Sequence, residues 1–163
     1  MNDEIKSLAA RLGAVLNKRG LKVTTAESCT GGGVAYAITS VAGSSNWFEE
    51  GVITYSNEAK QSRLQVASTT LMQHGAVSEE VVKEMTLGAL QCGQAQLAIA
   101  VSGIAGPGGG TAEKPVGLVW VAWRFREVVV ARSFHFSGDR EQVRLQSIAE
   151  GLRGAIEMME SNL

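Results

Sequence analysis

The sequence predicts an α/β fold, a three-layer α/β/α sandwich around a mixed, mostly parallel sheet. Helical apolar periods alternate with short strand-like runs along most of the chain. The run LAIAVSG at 97–103 is almost wholly apolar, as a central strand buried on both faces would be. Two further strand-like runs then follow one another before a final helix. With 163 residues and neither a repeat nor a linker, we expect one domain over 1–163.

Each element has its own local signal in the sequence. The first half of the chain is predicted to contain a helix over 3–19 closed by Gly20, a strand over 21–27, a helix over 33–42 ended by Gly43, a strand over 51–56, and a helix over 58–66 capped by Asn57. The second half is predicted to contain a helix from Ser78 to about Gly93, the strand over 97–103, neighbouring strands in GLVWVAWRF and VVVARSFHF, and a C-terminal helix started by Asp139.

Composition and charge exclude several classes of protein. Fifteen basic and 16 acidic residues give a net charge of −1, so we expect neither nucleic acid nor an anionic membrane as a partner. The apolar runs are far shorter than the ~20 residues that a membrane span needs. The N-terminus carries acidic residues early, unlike a signal peptide. Cys29 and Cys92 lie too far apart in sequence to suggest a disulfide framework, so a cytoplasmic location is expected.

Glycine is abundant, and nine of the 19 glycines lie in two clusters, at 31–33 and at 103–117. Such clusters indicate tight turns or close approach to a ligand. The segment SCTGGG at 28–33 leads into a helix, where its amides suit either an anion or a tight turn with a Ser/Thr cap. Ser102 to Pro107 follows the buried strand, at the end of the strand where α/β proteins commonly bind ligands.

The usual catalytic and cofactor motifs do not occur in this sequence. His74 and His135 have no partner at zinc-ligand spacing, and the G-x-S-x-G and phosphate-loop patterns are missing, so no metal or cofactor is expected. A lysine becomes a general base only when desolvation or a second cation lowers its pKa. Lys60 is therefore either such a base or a solvated surface lysine. Cys29 is either a nucleophile or, without an identifiable base, a packing residue.

Two arginines open the predicted C-terminal helix. Arg140 and Arg144 are four residues apart and share one face of that helix. Positive charge in a first helical turn is unfavourable unless it faces an anion. A phosphate ligand would provide that anion, and so would Asp139 and Glu141 nearby.

Five segments in order resemble the CinA C-terminal family over about residues 5 to 158. These are AESCTGG at 26–32, VAGSSNWFEEGVITYSNEAK at 41–60, HGAVS at 74–78, VSGIAGPGGG with KPVG at 101–117, and FSGDR at 136–140. The resemblance implies hydrolysis of the carboxamide of nicotinamide mononucleotide to nicotinate mononucleotide and ammonia, in pyridine-nucleotide salvage. It also implies a serine–lysine mechanism without a metal or cofactor, in a homodimer.

The resemblance also implies which residues form the site. Ser45 is expected to be the nucleophile, with Ser44 as the adjacent alternative, and Tyr55 and Lys60 are expected to assist it. The substrate-binding residues are expected to be Ser28, Cys29, Thr30, Gly31, Gly32, Ser102, Gly103, Gly106, Arg140 and Arg144. A non-catalytic nucleotide-binding module and an amidase for another small amide remain as alternatives.

Overall fold

The structure is a computed structural model that describes residues 1–162. It contains five strands: β1 Val23–Glu27, β2 Phe48–Ile53, β3 Leu97–Gly103, β4 Leu118–Phe125 and β5 Val128–His135. The helices are α1 Asp3–Arg19, α2 Gly33–Thr39, α3 Asn57–Leu64, α4 Ser68–His74, α5 Glu79–Cys92 and α6 Arg140–Ser161. None of the helices in this part of the chain is long and apolar enough to cross a membrane.

The strands form one mixed sheet in the order β2-β1-β3-β4-β5. Parallel pairing joins β1 to both β2 and β3, and β4 runs antiparallel to its neighbours β3 and β5. All strands except β4 therefore point in the same direction. The carboxyl ends of β1, β2 and β3 meet at one edge of the sheet, and the loops that leave this edge carry most of the predicted site residues.

Helices cover both faces of the sheet, which confirms the three-layer prediction. Leu12 of α1, Val34 of α2 and Leu152 of α6 pack in the core on one face. Leu64 of α3 and Met85 of α5 pack in the core on the other. The central strand β3 is buried along almost its whole length because helices cover it from both sides.

The structure corrects several predicted boundaries between α2 and α5. β2 starts at Phe48 instead of residue 51, because an exposed edge strand tolerates the acidic residues Glu49 and Glu50. Ser56, and not Asn57, caps α3, since its hydroxyl accepts from the amide of Ala59 at 3.0 Å. The short helix α4 was not predicted, and α2 ends at Thr39, earlier than expected.

Candidate active site

The hydroxyl of Ser28 and the amine of Lys60 meet at the carboxyl edge of the sheet. Lys60 Nζ lies 3.0 Å from Ser28 Oγ, and the two residues are only 1% and 8% exposed, respectively. Ser28 follows β1 directly, and its amide donates to Val101 O at 3.0 Å, which keeps it aligned with the sheet. Lys60 lies near the start of α3. A hydroxyl beside a buried amine is an arrangement that activates an oxygen nucleophile.

Two main-chain carbonyls hold the amine of Lys60. Nζ donates to Thr54 O at 2.7 Å and to Tyr55 O at 3.4 Å. Burial lowers the pKa of Lys60, and no carboxylate within residues 1–162 forms an ion pair with it. Nζ also donates to Ser28 Oγ at 3.0 Å, so three oxygen acceptors of the protein surround this amine. The alternative of a solvated surface lysine is therefore wrong.

The buried carboxylate of Glu27 fixes the turn that carries Ser28. It accepts from the Thr30 hydroxyl at 2.6 Å and from the amides of Val34 at 2.8 Å and Ala35 at 3.0 Å. These two amides belong to the first turn of α2, where a negative charge is favourable. The start of α2 does meet an anion, as one interpretation of the glycine segment required. That anion is the chain's own side chain, so these amides do not remain for a ligand.

The turn between β1 and α2 contains Cys29, Gly31 and Gly32. Both glycines have positive φ angles, of 59° and 97° respectively, which other residues rarely adopt. The Cys29 thiol is buried, and burial raises its pKa to about 11. A thiol that stays protonated near neutral pH is a poor nucleophile, so the packing interpretation of Cys29 fits the structure better.

Arg140 and Arg144 do not bind the same groups. Arg144 donates to the carbonyls of residues 29–30 at 3.2 and 3.3 Å, and thus holds the turn after Ser28. Arg140 donates to Gly106 O at 2.8 Å and to the Tyr55 hydroxyl at 3.0 Å. It therefore bridges the glycine segment and the β2–α3 loop at the entrance to the site.

A cavity of about 220 Å³ opens between these loops. It is lined by Cys29, Tyr55, Gly103, Ile104, Ala105, Gly106, Gly108, Gly109 and Arg140. Gly106 has a φ of +83°, and a Cβ there would lie 2.4 Å from the Val116 side chain. Arg140 supplies the charge in this lining, so the cavity favours an anionic group. Ser102 is buried at the end of β3, beside the cavity-lining Gly103.

Ser45 does not belong to this group of residues. It lies exposed in the 3₁₀ turn Ser44–Asn46 before β2, whereas Lys60 follows the opposite end of that strand. The six residues of β2 span ~20 Å. Ser45 thus lies at the amino end of this strand and Lys60 near its carboxyl end. The prediction that Ser45 stands beside Lys60 is therefore wrong, and the same holds for Ser44. The sequence signal for Ser28 was its position after a strand, at the same edge as Lys60.

Residues 1–162 contain no group of three or more His, Cys, Asp or Glu side chains arranged to hold a metal ion. The polar groups that meet at the carboxyl edge are instead the Ser28 hydroxyl, the Lys60 amine and the Arg140 guanidinium.

Known proteins resemble the chain along nearly its whole length. It is 54% identical over 153 residues, 93% of either chain, to the nicotinamide-nucleotide amidohydrolase PncC of Escherichia coli (strain K12). It is 51% identical over 156 residues to the protein of that name from Pseudomonas putida, covering 96% of this chain and 98% of the relative. The crystal structure of competence/damage inducible protein CihA from Agrobacterium tumefaciens matches with a TM-score of 0.95 and 42% identity, over 97% of each chain. Residues 5–159 match the CinA C-terminal domain, and the chain therefore belongs to that family.

Proposed function

We propose that this chain is an amidohydrolase that converts nicotinamide mononucleotide to nicotinate mononucleotide and ammonia in pyridine-nucleotide salvage. Relatives named nicotinamide-nucleotide amidohydrolase, at 54% and 51% identity, support this substrate. The observation that carries the proposal is the buried Ser28–Lys60 pair beside a cavity whose lining includes the cation Arg140. The pair suits attack on an amide carbon, and the cation suits a 5′-phosphate.

The first half of the proposed reaction forms an acyl-enzyme. Neutral Lys60 takes the proton of Ser28 as Oγ attacks the carboxamide carbon. The amides of Cys29, Thr30 and Gly32 donate to no main-chain carbonyl within residues 1–162, and we assign them to the developing oxyanion. Lys60, now an ammonium, returns the proton to the departing nitrogen. The C–N bond breaks, and ammonia leaves.

Water completes the cycle in the second half of the reaction. Lys60 removes a proton from water, and the resulting hydroxide attacks the ester carbon on Ser28. Ser28 Oγ leaves with the proton that Lys60 returns, which releases nicotinate mononucleotide. The phenol of Tyr55 bonds to Arg140, while its main-chain carbonyl bonds to Lys60. We therefore assign Tyr55 to positioning rather than to a proton relay.

The remaining predicted residues have different proposed parts in substrate binding. Gly31 and the glycines at 103 and 106 allow the main chain to come close to the substrate. The Thr30 hydroxyl is engaged by Glu27, so we assign only its amide to the substrate. Arg144 supports the turn through its carbonyl contacts, and Arg140 is the proposed phosphate ligand.

Ammonia release from a panel of amides tests the proposed function. The panel contains nicotinamide mononucleotide, nicotinamide riboside and nicotinamide, which differ in the 5′-phosphate and the ribose. We expect turnover of the mononucleotide, with kcat/KM at least about 10-fold above that of the riboside, the worth of one charged contact. Silence on every amide with nucleotide binding retained would indicate a non-catalytic binding module. Equal rates on all of them would indicate an amidase for another small amide.

Removing the guanidinium of Arg140 should weaken recognition of the phosphate. We expect Arg140→Ala to raise KM for the mononucleotide about 10- to 100-fold, because a charged hydrogen bond contributes about 1.5–3 kcal/mol. The KM for nicotinamide riboside should stay within a few-fold. Steady-state kinetics on both substrates measure the difference, and Arg11→Ala, an exposed arginine paired with Glu160, is the control. An equal rise in KM for both substrates would contradict the phosphate assignment.

We further propose that the chain acts as one domain over 1–163, in a cytoplasmic homodimer. Exposed apolar side chains such as Tyr36 and Ile53 support a partner surface, and Cys29 and Cys92 are both free thiols, as a reducing compartment favours. Sedimentation equilibrium would give twice the chain mass for the dimer, and the single-chain mass would contradict it.

A further inference from the structure

We infer that Ser102 is a further catalytic residue of this site, and that its hydroxyl orients the departing nitrogen of the carboxamide. The inference rests on the proposed function, because it concerns the leaving group of the same amide hydrolysis. It extends that function with a second hydroxyl on the side of Ser28 away from Lys60.

The pairing of β1 with β3 brings Ser102 beside Ser28. Glu27 stands opposite Val101 in the parallel register, so the next residues along each strand are Ser28 and Ser102. The amide of Ser28 still donates to Val101 O at 3.0 Å, which extends the ladder to this position. Neighbouring strands are ~4.8 Å apart, so the two serines are immediate neighbours.

Ser102 also faces the side of the sheet from which Lys60 approaches. Ala100, two residues earlier on β3, packs in the core beneath α3 to α5. Trp120, directly opposite Ser102 on β4, packs against the same core. Because side chains alternate along a strand, Ser102 points to this side too. Lys60 lies towards β2 and Ser102 towards β3, with Ser28 between them.

The hydroxyl of Ser102 makes no hydrogen bond within residues 1–162. The residue is only 1% exposed, yet its Oγ is not among the fully enclosed polar atoms that lack a partner, which are Thr25 Oγ1, Trp47 Nε1 and Thr54 Oγ1. The buried Ser147 of α6, by contrast, donates to Val143 O at 2.7 Å. A ligand group that reaches the Ser102 hydroxyl therefore gains a hydrogen bond that the protein alone does not supply.

The carboxamide supplies such a group in the tetrahedral intermediate on Ser28 Oγ. Its nitrogen carries two N–H bonds and one lone pair. Ser102 Oγ accepts a hydrogen bond from one of these N–H groups, and this contact turns the lone pair of the nitrogen towards the ammonium of Lys60. The proton passes from Lys60 Nζ to nitrogen, the C–N bond breaks, and ammonia departs with its electrons paired. Ser102 keeps its own proton, so the reaction needs no further donor.

The test compares an amide with an ester that yields the same acyl-enzyme. An amide nitrogen must be protonated before it leaves, whereas an ester expels a less basic oxygen. We expect Ser102→Ala to lower kcat/KM for nicotinamide mononucleotide about 10²-fold. This loss is at the lower end of the rate factors that general acid–base catalysis supplies. The methyl ester of nicotinate mononucleotide should lose less than about 5-fold. Ser147→Ala removes another buried hydroxyl away from the site, and should leave the ratio of the two rates unchanged.

Other outcomes separate the two proposals. If Ser102→Ala does not fold, Ser102→Cys keeps the volume with a much weaker acceptor and should show the same selective loss. Equal losses on amide and ester, or an unchanged rate on the amide, overturn the role of Ser102. A wild-type protein that hydrolyses the ester but not the amide overturns the proposed function and this inference together. If the wild type hydrolyses both substrates, a failure of the Ser102 prediction leaves the proposed function intact.

Discussion

Replacing Ser28 with alanine is expected to lower turnover of nicotinamide mononucleotide by about 10⁴- to 10⁶-fold, the scale seen when a serine enzyme loses its nucleophile. The reason is the position of Ser28 Oγ, 3.0 Å from a buried amine at the carboxyl edge of the sheet. Ammonia release measures the loss. Rapid quenching followed by mass spectrometry should find an acyl group on wild-type Ser28 and none on Ser28→Ala.

Ser45→Ala is the matched control, because it removes the hydroxyl of the other candidate serine. Ser45 is exposed in a turn at the amino end of β2, far from Lys60. Removing its hydroxyl should change turnover by less than about twofold and the free energy of unfolding by less than about 0.5 kcal/mol. The reverse pattern, with Ser45→Ala inactive and Ser28→Ala active, would refute the assignment. Circular dichroism on both variants separates lost chemistry from lost folding.

Replacing Lys60 with methionine should lower turnover by about 10³- to 10⁴-fold, as the loss of a general base does. Methionine keeps most of the buried side chain and removes the amine. Lys60→Arg is a second variant, because arginine keeps N–H donors at this position but does not release its proton near neutral pH. Both variants should lose turnover to a similar extent, whereas near wild-type turnover of Lys60→Arg would refute the role of Lys60 as a base. The double variant Ser28→Ala/Lys60→Met should be no slower than the slower single variant, since the two groups act as a unit.

The pH dependence of the wild type follows from the lowered pKa of Lys60. The ammonium form cannot accept the Ser28 proton, so kcat/KM should rise with pH through that pKa and level off below the ordinary ~10.4 of lysine. The small residual rate of Lys60→Met should lack this rise. A wild-type rate that falls as pH increases over the same range would contradict the role of Lys60 as a base.

The same shift in pKa links stability to pH. Burial lowers the pKa in the folded state, so between that pKa and ~10.4 the unfolded chain binds more protons than the folded one. The free energy of unfolding therefore gains a contribution that rises with pH across this window. Lys60→Met lacks that contribution. Urea unfolding of both proteins should show their difference in stability moving in favour of the wild type as pH increases.

Strong local patterns made most of the fold predictable. The helix over Asp3–Arg19 and the buried strand Leu97–Gly103 match their predictions because periodicity and burial act within one segment. The start of β2 was missed because its acidic residues are tolerated only at a sheet edge, and edge position depends on the order of strands. The helix Ser68–His74 buries only Leu71, so its sequence carries no amphipathic pattern.

Most residues at the carboxyl edge could be predicted from the sequence, but the contact between Ser28 and Lys60 could not. Lys60, Tyr55 and Arg140 were identified, and the structure brings them to one edge of the sheet. Ser28 was predicted only to bind substrate, because nothing in linear spacing shows that β1 lies beside β2. Ser45 is nearer to Lys60 along the chain, yet a strand separates the two in space. The choice of Ser45 followed from the family resemblance, and the structure places Ser28, not Ser45, in contact with Lys60.

The two carbonyls that hold Lys60 have a consequence for how this site can be altered. They belong to the main chain of residues 54–55, so the amine of Lys60 is oriented by the path of the backbone and not by the side chains there. At Tyr55 the main-chain carbonyl accepts a hydrogen bond from the amine of Lys60, while the side chain lines the cavity. A substitution at position 55 therefore changes the side chain that lines the cavity, while the main-chain carbonyl that holds Lys60 is retained. Position 55 is thus a natural place to adapt the cavity to other amides while the amine of Lys60 stays in place.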